Sequence, residues 1–304
     1  MSKKNRNLNY QLQFCLNDNF RIGFNKHADK HNPETDNGHI IKSVMSKDAL
    51  GDFARNFTNW LKAEGYTNDI KMLKQIKPEH CQAFLDAKQK SGASQKTLEC
   101  YQAYFRKFEK CIYATYGCRV DFSTTIDKTK TTTEHTIKEY SFTKEELAKI
   151  VDTKMCESLA VVKFNMATGS RIQMCEKMLC RDILITDDNK VVVFFNGDKG
   201  GRDRTITIDD SKFADYCRQL RKGKNPNDRL FNVKKDSVNQ WIYRRAKRLS
   251  ILTPDGRVKS GNHSIRKNWA EQRQSTHGTK QTMKDLGHSE ERKSLINTYT
   301  NSLK

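Results

Sequence analysis

Between residues 45 and 117 large apolar side chains return every three or four positions, and between 121 and 140 that return stops. Leu50, Phe53, Phe57, Trp60 and Leu61 fall at helical spacing, so one stripe of a helix is apolar and the opposite face is polar. Gly65 suits the end of that helix. The stretch KPEHCQAFLDAKQKSG opens with a proline, which fits the first turn of a helix, and stops at Gly92. The next stretch places Leu98, Tyr101, Phe105, Phe108 and Ile112 on one face, with Ser94 positioned as its N-cap. Residues 44–118 are therefore predicted to form a small all-helical domain.

The segment DFSTTIDKTKTTTEHTIKEY is rich in Thr and Lys and lacks helical periodicity. It marks a linker over 119–140. Upstream, residues 1–43 are polar and basic with an Asn37-Gly38 turn signal, and they read as an arm with little core of its own. Downstream, Thr143 and Glu146 have the spacing of a capping box ahead of LAKIV. Helical signals continue to about 180. Three β-rich runs follow, DILIT, KVVVFF and DRTITI, the last two joined by the Gly-rich NGDKGGR. Further helices are predicted at 209–222, 236–249, 263–276 and 279–286. The expected fold class is mainly α (α+β): an all-helical domain, then a mostly helical domain over 141–304 with a small antiparallel β-sheet.

Charge narrows the partner. The chain of 304 residues carries 56 Lys and Arg against 36 Asp and Glu, a net +20. The basic residues run through the whole chain rather than in one block, which favours a polyanion over a small neutral metabolite. Lys96, Arg106, Lys107 and Lys110 avoid the apolar stripe of their helix and are candidates for a phosphate backbone. Each of these cations, taken singly, fits a solvated basic face equally well. The nine cysteines form no CxxC pair, as in a reduced intracellular protein without a zinc finger. The N-terminal residues lack the apolar region of a secretory signal, and no run approaches the length of a membrane span. A cytoplasmic, nucleoid-associated protein is expected. His27 and His31 stand four apart in a polar segment and are not read as metal ligands.

Five short motifs carry the chemistry. ATGSR puts Arg171 just after a glycine bend at a helix start, where backbone N–H groups favour an anion. NGDKGGRDR holds Lys199 at a hairpin tip, with Arg202 and Arg204 close by. HSIR sets His263 and Arg266 one helical turn apart. LGHS places His288 after Gly287, and INTYTN ends on Tyr299. Any one of these patterns is common; all five in this order are not.

Together they resemble the tyrosine recombinase (phage integrase) family over about residues 45–304. Arg171 matches the first arginine, Lys199 the hairpin lysine, His263 and Arg266 the HxxR pair, His288 the LGH histidine, and Tyr299 the nucleophile. The resemblance implies a core-binding domain over 44–118 and a catalytic domain over 141–304, forming a clamp around double-stranded DNA. It implies self-association to a synaptic tetramer, with accessory DNA-bending proteins as possible partners and a mobile element as a setting.

Three departures from the family pattern stand out. Met174 occupies the position, three after the first arginine, where an acidic residue is usual, and Glu176 sits too far round a helix to replace it. Lys267 follows Arg266 where a second histidine is common. The step from His288 to Tyr299 is about two residues longer than usual. Five residues follow Tyr299, so the long exchanged C-terminal helix of some members is expected to be absent.

The residue types suit phosphoryl transfer. Two arginines can grip the non-bridging oxygens of a phosphodiester bidentately and stabilise the charge of the transition state. Tyrosine, with a free pKa of about 10, must lose a proton as it attacks. His263 is the expected base, Lys199 the expected acid for the departing 5′-oxygen, and His288 a hydrogen-bond donor to the phosphate. With arginines supplying the positive charge, no metal and no cofactor is expected. Two rival readings share these residues: a type IB topoisomerase, and a catalytically inactive DNA-binding protein of the same fold. A basic RNA- or membrane-binding protein lacks the aromatic or amphipathic signature it would need.

Overall fold

Phe53, Phe57, Phe84 and Phe105 meet at ring-centroid distances of 5.0 to 6.2 Å, mostly edge-on. This is the arrangement aromatic quadrupoles favour, and it forms the centre of the first of two compact units. The computed structural model describes residues 7–23, 37–127, 140–198 and 203–287. The chain divides into Met1–Glu134 and His135–Lys304.

The first unit contains α1 (Leu8–Asp18), α2 (Val44–Ala63), α3 (Pro78–Lys90) and α4 (Gln95–Tyr116). Ser43 Oγ caps α2 by accepting from Ser46 N at 3.1 Å, and Ser94 Oγ caps α4 by accepting from Thr97 N at 3.3 Å. Leu50, Phe53, Phe57 and Leu61 of α2 are buried against Leu98, Phe105, Phe108 and Ile112 of α4 and Phe84 of α3 in one core. Each fully buried side chain of this size is worth about 1.5–3 kcal/mol. Trp60 and Tyr101 are half-buried at its margin.

Two segments expected to be peripheral belong to this core. Residues 1–43 are not an arm without a core, because α1 buries Leu8, Leu12, Cys15 and Leu16 in the first unit. These residues sit four, three and one apart, a helical stripe too short to stand out in a polar segment. Asn7 Oδ1 caps α1 at Tyr10 N, 2.8 Å. Asn19, just past its end, donates to Cys15 O and Thr115 Oγ1 at 2.8 Å each, tying α1 to α4. The early part of the expected linker is likewise docked. Phe122 is buried, its N–H donating to Glu109 Oε1 at 2.6 Å. Gln102 Nε2 donates to Thr124 O at 2.7 Å, and Gln82 Oε1 accepts from Thr125 N at 2.8 Å. An extended segment held by side-chain amides has no periodicity to read.

The second unit begins with α5 (Lys144–Val151), where Thr143 and Glu146 make both bonds of the capping box. After α6 (Glu157–Thr168) come β1 (Ile183–Ile185), β2 (Lys190–Phe195) and β3 (Arg204–Asp209). They form a three-stranded antiparallel sheet in the order β1-β2-β3. Val193 pairs with both Ile183 and Ile206, and Phe195 pairs with Arg204. The period-2 pattern sends Val191, Val193, Phe195 and Ile206 into the core. Then follow α7 (Ser211–Arg221), α8 (Lys235–Arg248) and α9 (Asn262–Asp285). Gly278, at φ 74°, breaks α9 into two helical pieces, as the separate periodicities at 263–276 and 279–286 predict. Trp269 and Ala270 of the first piece pack with Met283 and Leu286 beyond the break. No described helix is long and apolar enough to cross a membrane.

Candidate active site

The site is built where the end of α6, the β2–β3 connection and both ends of α9 meet. Gly169 ends α6 in the left-handed conformation at φ 58°, its N–H donating to Asn165 O at 2.8 Å. A Cβ at this position would lie 2.2 Å from Trp269 Cε3, so the α6–α9 contact requires glycine here. Trp269 Nε1 donates to Ala167 O at 2.9 Å and locks the same contact. Asn262, the first residue of α9, accepts from Asn165 Nδ2 at 2.6 Å and donates to Ser170 O at 3.1 Å. The α9 N-terminus is thereby fixed to the bend that precedes Arg171. Gly169→Ala would combine left-handed strain with overpacking, each worth about 1–3 kcal/mol. Denaturant titration should show a loss of about 2–5 kcal/mol. Gly287→Ala, where the nearest atom is Arg204 Cδ at 3.1 Å, should lose less.

This bend delivers the two predicted arginines to one place. Arg266 is 1% exposed. Its Nη1 donates to Gly169 O and its Nη2 to Leu286 O, the latter at 2.8 Å. Arg171 Nη2 reaches the same Leu286 carbonyl at 3.4 Å. Two guanidiniums, about a hundred residues apart in sequence, thus share one oxygen. His263, one turn before Arg266 on α9, is exposed. Lys199, Arg202, His288 and Tyr299 lie outside the described residues.

Arg171 starts a short 3₁₀ turn, Ile172–Glu176, rather than a longer α-helix. Met174 of that turn is buried in the core, and Glu176 Oε1 accepts from Lys235 N at 2.8 Å, capping α8. Met174 N donates to Arg171 O at 2.9 Å, but among the described residues neither side chain hydrogen-bonds the Arg171 guanidinium. The carboxylate that does is Asp198, three residues past β2, whose Oδ2 takes Arg171 Nη1 and also Arg204 Nε at 2.9 Å.

Asp198 and Arg204 were not among the predicted site residues. Arg204 lies on the inner face of β3 with its guanidinium carbon 3.8 Å from the centroid of the Phe195 ring. Its Nη1 donates to Asp285 O, one residue before the shared Leu286 carbonyl. The alternation of RTITID puts Arg204 in phase with Ile206 and Ile208. That phase, an arginine on the apolar side of a strand, was the available signal.

Arg171 and Arg204 both pair with Asp198, and Arg273 Nε pairs with Asp285 at 2.7 Å. The guanidiniums of Arg171, Arg204 and Arg266 thus gather around the carbonyls of Asp285 and Leu286, an arrangement that suits an anion. Burial pushes the Asp198 carboxyl up, but the hydrogen bond and charge of Arg171, with the charge of Arg204, hold it below the usual carboxylate range. Burial pulls the Arg204 guanidinium down to about 10 against the charge of Asp198, so it remains a cation at neutral pH. Because the folded value of Asp198 lies below the unfolded one, its pairing stabilises the fold above the ordinary carboxylate range. That stabilisation is lost as pH falls through the lowered value.

On the first unit, Lys96, Arg106 and Lys110 are exposed along α4. Lys107 is not a free surface cation. Its Nζ donates to Gly38 O at 2.7 Å and Ile40 O at 2.8 Å, which makes it an internal strut for the chain ahead of α2. The helical face predicted its direction correctly but not the backbone that folds over it.

No protein-family model and no curated protein sequence matches the chain. Solved structures do match it in fold. XerH site-specific recombinase bound to its difH substrate, in a pre-cleavage complex, aligns with a TM-score of 0.62 and 17% identity, over 84% of this chain and 77% of that one. The Tn1549 transposon integrase in complex with transposon right end DNA aligns at 0.56 and 12% identity, over 96% and 95%. A lambda integrase tetramer bound to a Holliday junction aligns at 0.54 and 18% identity, over 81% and 71%. The chain therefore has the tyrosine recombinase fold that its motifs resemble.

Proposed function

We propose that this protein cuts and rejoins DNA at specific sites through a 3′-phosphotyrosyl intermediate. The observation that carries this reading is the convergence of Arg171 and Arg266 on one oxygen, the Leu286 carbonyl. A carbonyl oxygen in that place stands where a phosphate oxygen would bind, and two planar guanidiniums suit its tetrahedral neighbours.

In the proposed reaction the Tyr299 oxygen attacks phosphorus and its proton passes to His263. The bond from phosphorus to the 5′-oxygen breaks, and Lys199 protonates the departing oxygen. Arg171 and Arg266, with His288, neutralise the charge that accumulates on the non-bridging oxygens. Attack by a free 5′-hydroxyl on the phosphotyrosine reverses the steps, so the bond energy is conserved without a nucleotide cofactor. Exchange between two sites then proceeds through a Holliday junction in a tetramer, in the manner of the lambda integrase assembly to which the chain is similar in fold.

Residues 44–118 would act as a core-binding domain, with Lys96, Arg106, Lys110 and the hairpin Arg202 meeting phosphates. The net +20 supports affinity dominated by such contacts. If about ten phosphates are neutralised, log K should fall against log[salt] with a slope near −9. A slope near zero in a fluorescence titration overturns the clamp.

The decisive experiment incubates the full chain with nicked suicide duplexes carrying candidate sites. A covalent protein–DNA band on a denaturing gel is the expected result. Relaxation of supercoiled plasmid without site preference or strand exchange would favour the topoisomerase reading. Binding with no covalent product on any duplex would favour an inactive DNA-binding protein.

A further inference from the structure

The position three residues after Arg171, where the resemblance leads one to expect an acid, holds Met174, buried in the apolar core. A phosphate-gripping arginine still needs something to hold its fork in one orientation, since its long side chain otherwise loses rotamer entropy on every turnover. Among the described residues, one carboxylate is placed to do this. Asp198 Oδ2 accepts from Arg171 Nη1, and Asp198 is 5% exposed. The same oxygen takes Arg204 Nε at 2.9 Å, and Arg204 in turn donates to Asp285 O beside the Leu286 carbonyl. Asp198 thus joins three parts of the site: the bend after α6, the β2–β3 connection and the end of α9.

We infer that Asp198 is the positioning residue that orients Arg171 for phosphate, taking from the β2–β3 connection the place left by Met174. The inference rests on the proposed strand-transfer reading. Two details favour positioning over stability alone. Asp198 Oδ1 and Arg204 Nη2 are buried without a hydrogen-bond partner, a cost that a pair serving only the fold would be expected to avoid. Moreover, Arg171 spends Nη1 on the carboxylate, while its Nη2 points to the oxygen it shares with Arg266. One edge of the fork is anchored and the other is aimed. Asp198 also immediately precedes Lys199 in sequence, so the anchor and the expected acid lie on the same short connection.

The test uses the full chain and compares Asp198→Asn with Asp198→Glu and the parent. Single-turnover cleavage of a suicide duplex at saturating DNA should fall about 10²-fold in Asp198→Asn, the scale of a misplaced catalytic group. Affinity for the same duplex should be unchanged or slightly higher, because a negative charge has been removed. Asp198→Glu, which keeps the carboxylate, should recover part of the loss. Cleavage by Asp198→Asn at the parent rate, or a fall matched by the loss of folded fraction, overturns the inference. A second measurement needs no variant of Asp198. In the parent, nitrogen-15 NMR of the Arg171 guanidinium, assigned by its disappearance in Arg171→Lys, should show separate Nη signals from hindered rotation. A freely rotating Arg171 overturns the anchor. Absence of a covalent band in the parent would instead overturn the strand-transfer reading, and the NMR result would still decide whether Asp198 holds Arg171.

Discussion

Replacing Tyr299 by phenylalanine should abolish every covalent protein–DNA band while leaving duplex binding at the parent level. The change removes one oxygen and keeps the ring, so packing is preserved. Tyr299 is the sole tyrosine from His263 onward in the sequence, so no near neighbour in sequence can take its place. A phosphotyrosyl bond needs the phenolic oxygen, and no water or serine route gives the same product. A gel shift and a denaturing gel run on the same samples separate the two properties. Binding retained with the covalent band lost supports the role of Tyr299. A band that persists assigns the nucleophile to another residue.

Arg266→Lys should lower the cleavage rate by about 10²- to 10³-fold, the usual cost of removing one oriented donor from a transition-state site. Lysine keeps the charge, so long-range attraction to DNA and the salt slope should change little. It cannot hold Gly169 O and Leu286 O at once in the planar fork that Arg266 provides. One buried carbonyl then loses a charge-assisted partner, and stability should drop by about 1–3 kcal/mol. Single-turnover kinetics at saturating DNA and a denaturant titration on the same variant measure the two effects. Cleavage at the parent rate would remove Arg266 from the phosphate site.

Arg171 and Arg266 were legible because each sits in a short motif whose neighbours have structural reasons to be there. Gly169 must end α6 with positive φ and leave room for Trp269, and the turn from His263 to Arg266 follows helical spacing. Asp198 was not legible. An aspartate in a Gly-rich hairpin reads as a turn residue, and its partner Arg204 reads as one more hairpin cation. Their pairing depends on the Phe195–Arg204 register and on where the end of α9 lies, neither of which is local. Lys107 fails in the opposite sense: its helix face was predicted, but the carbonyls of Gly38 and Ile40 that capture it come from about seventy residues upstream.

By itself the sequence determined the helical stripes of the first unit, the three short strands, the break at Gly278 and the order of the chemical motifs. All of these follow from periods of 3.6 and 2 and from capping residues within a few positions of one another. Only the tertiary structure decided that α1 and Phe122 complete a core, that Arg171 and Arg266 share the Leu286 carbonyl, and that Asp198 is the acid between Arg171 and Arg204. The physical reason is that a buried charge or a short apolar segment gains its partner from whatever packs over it. That partner is set by the closing of the whole unit, not by the residues next along the chain.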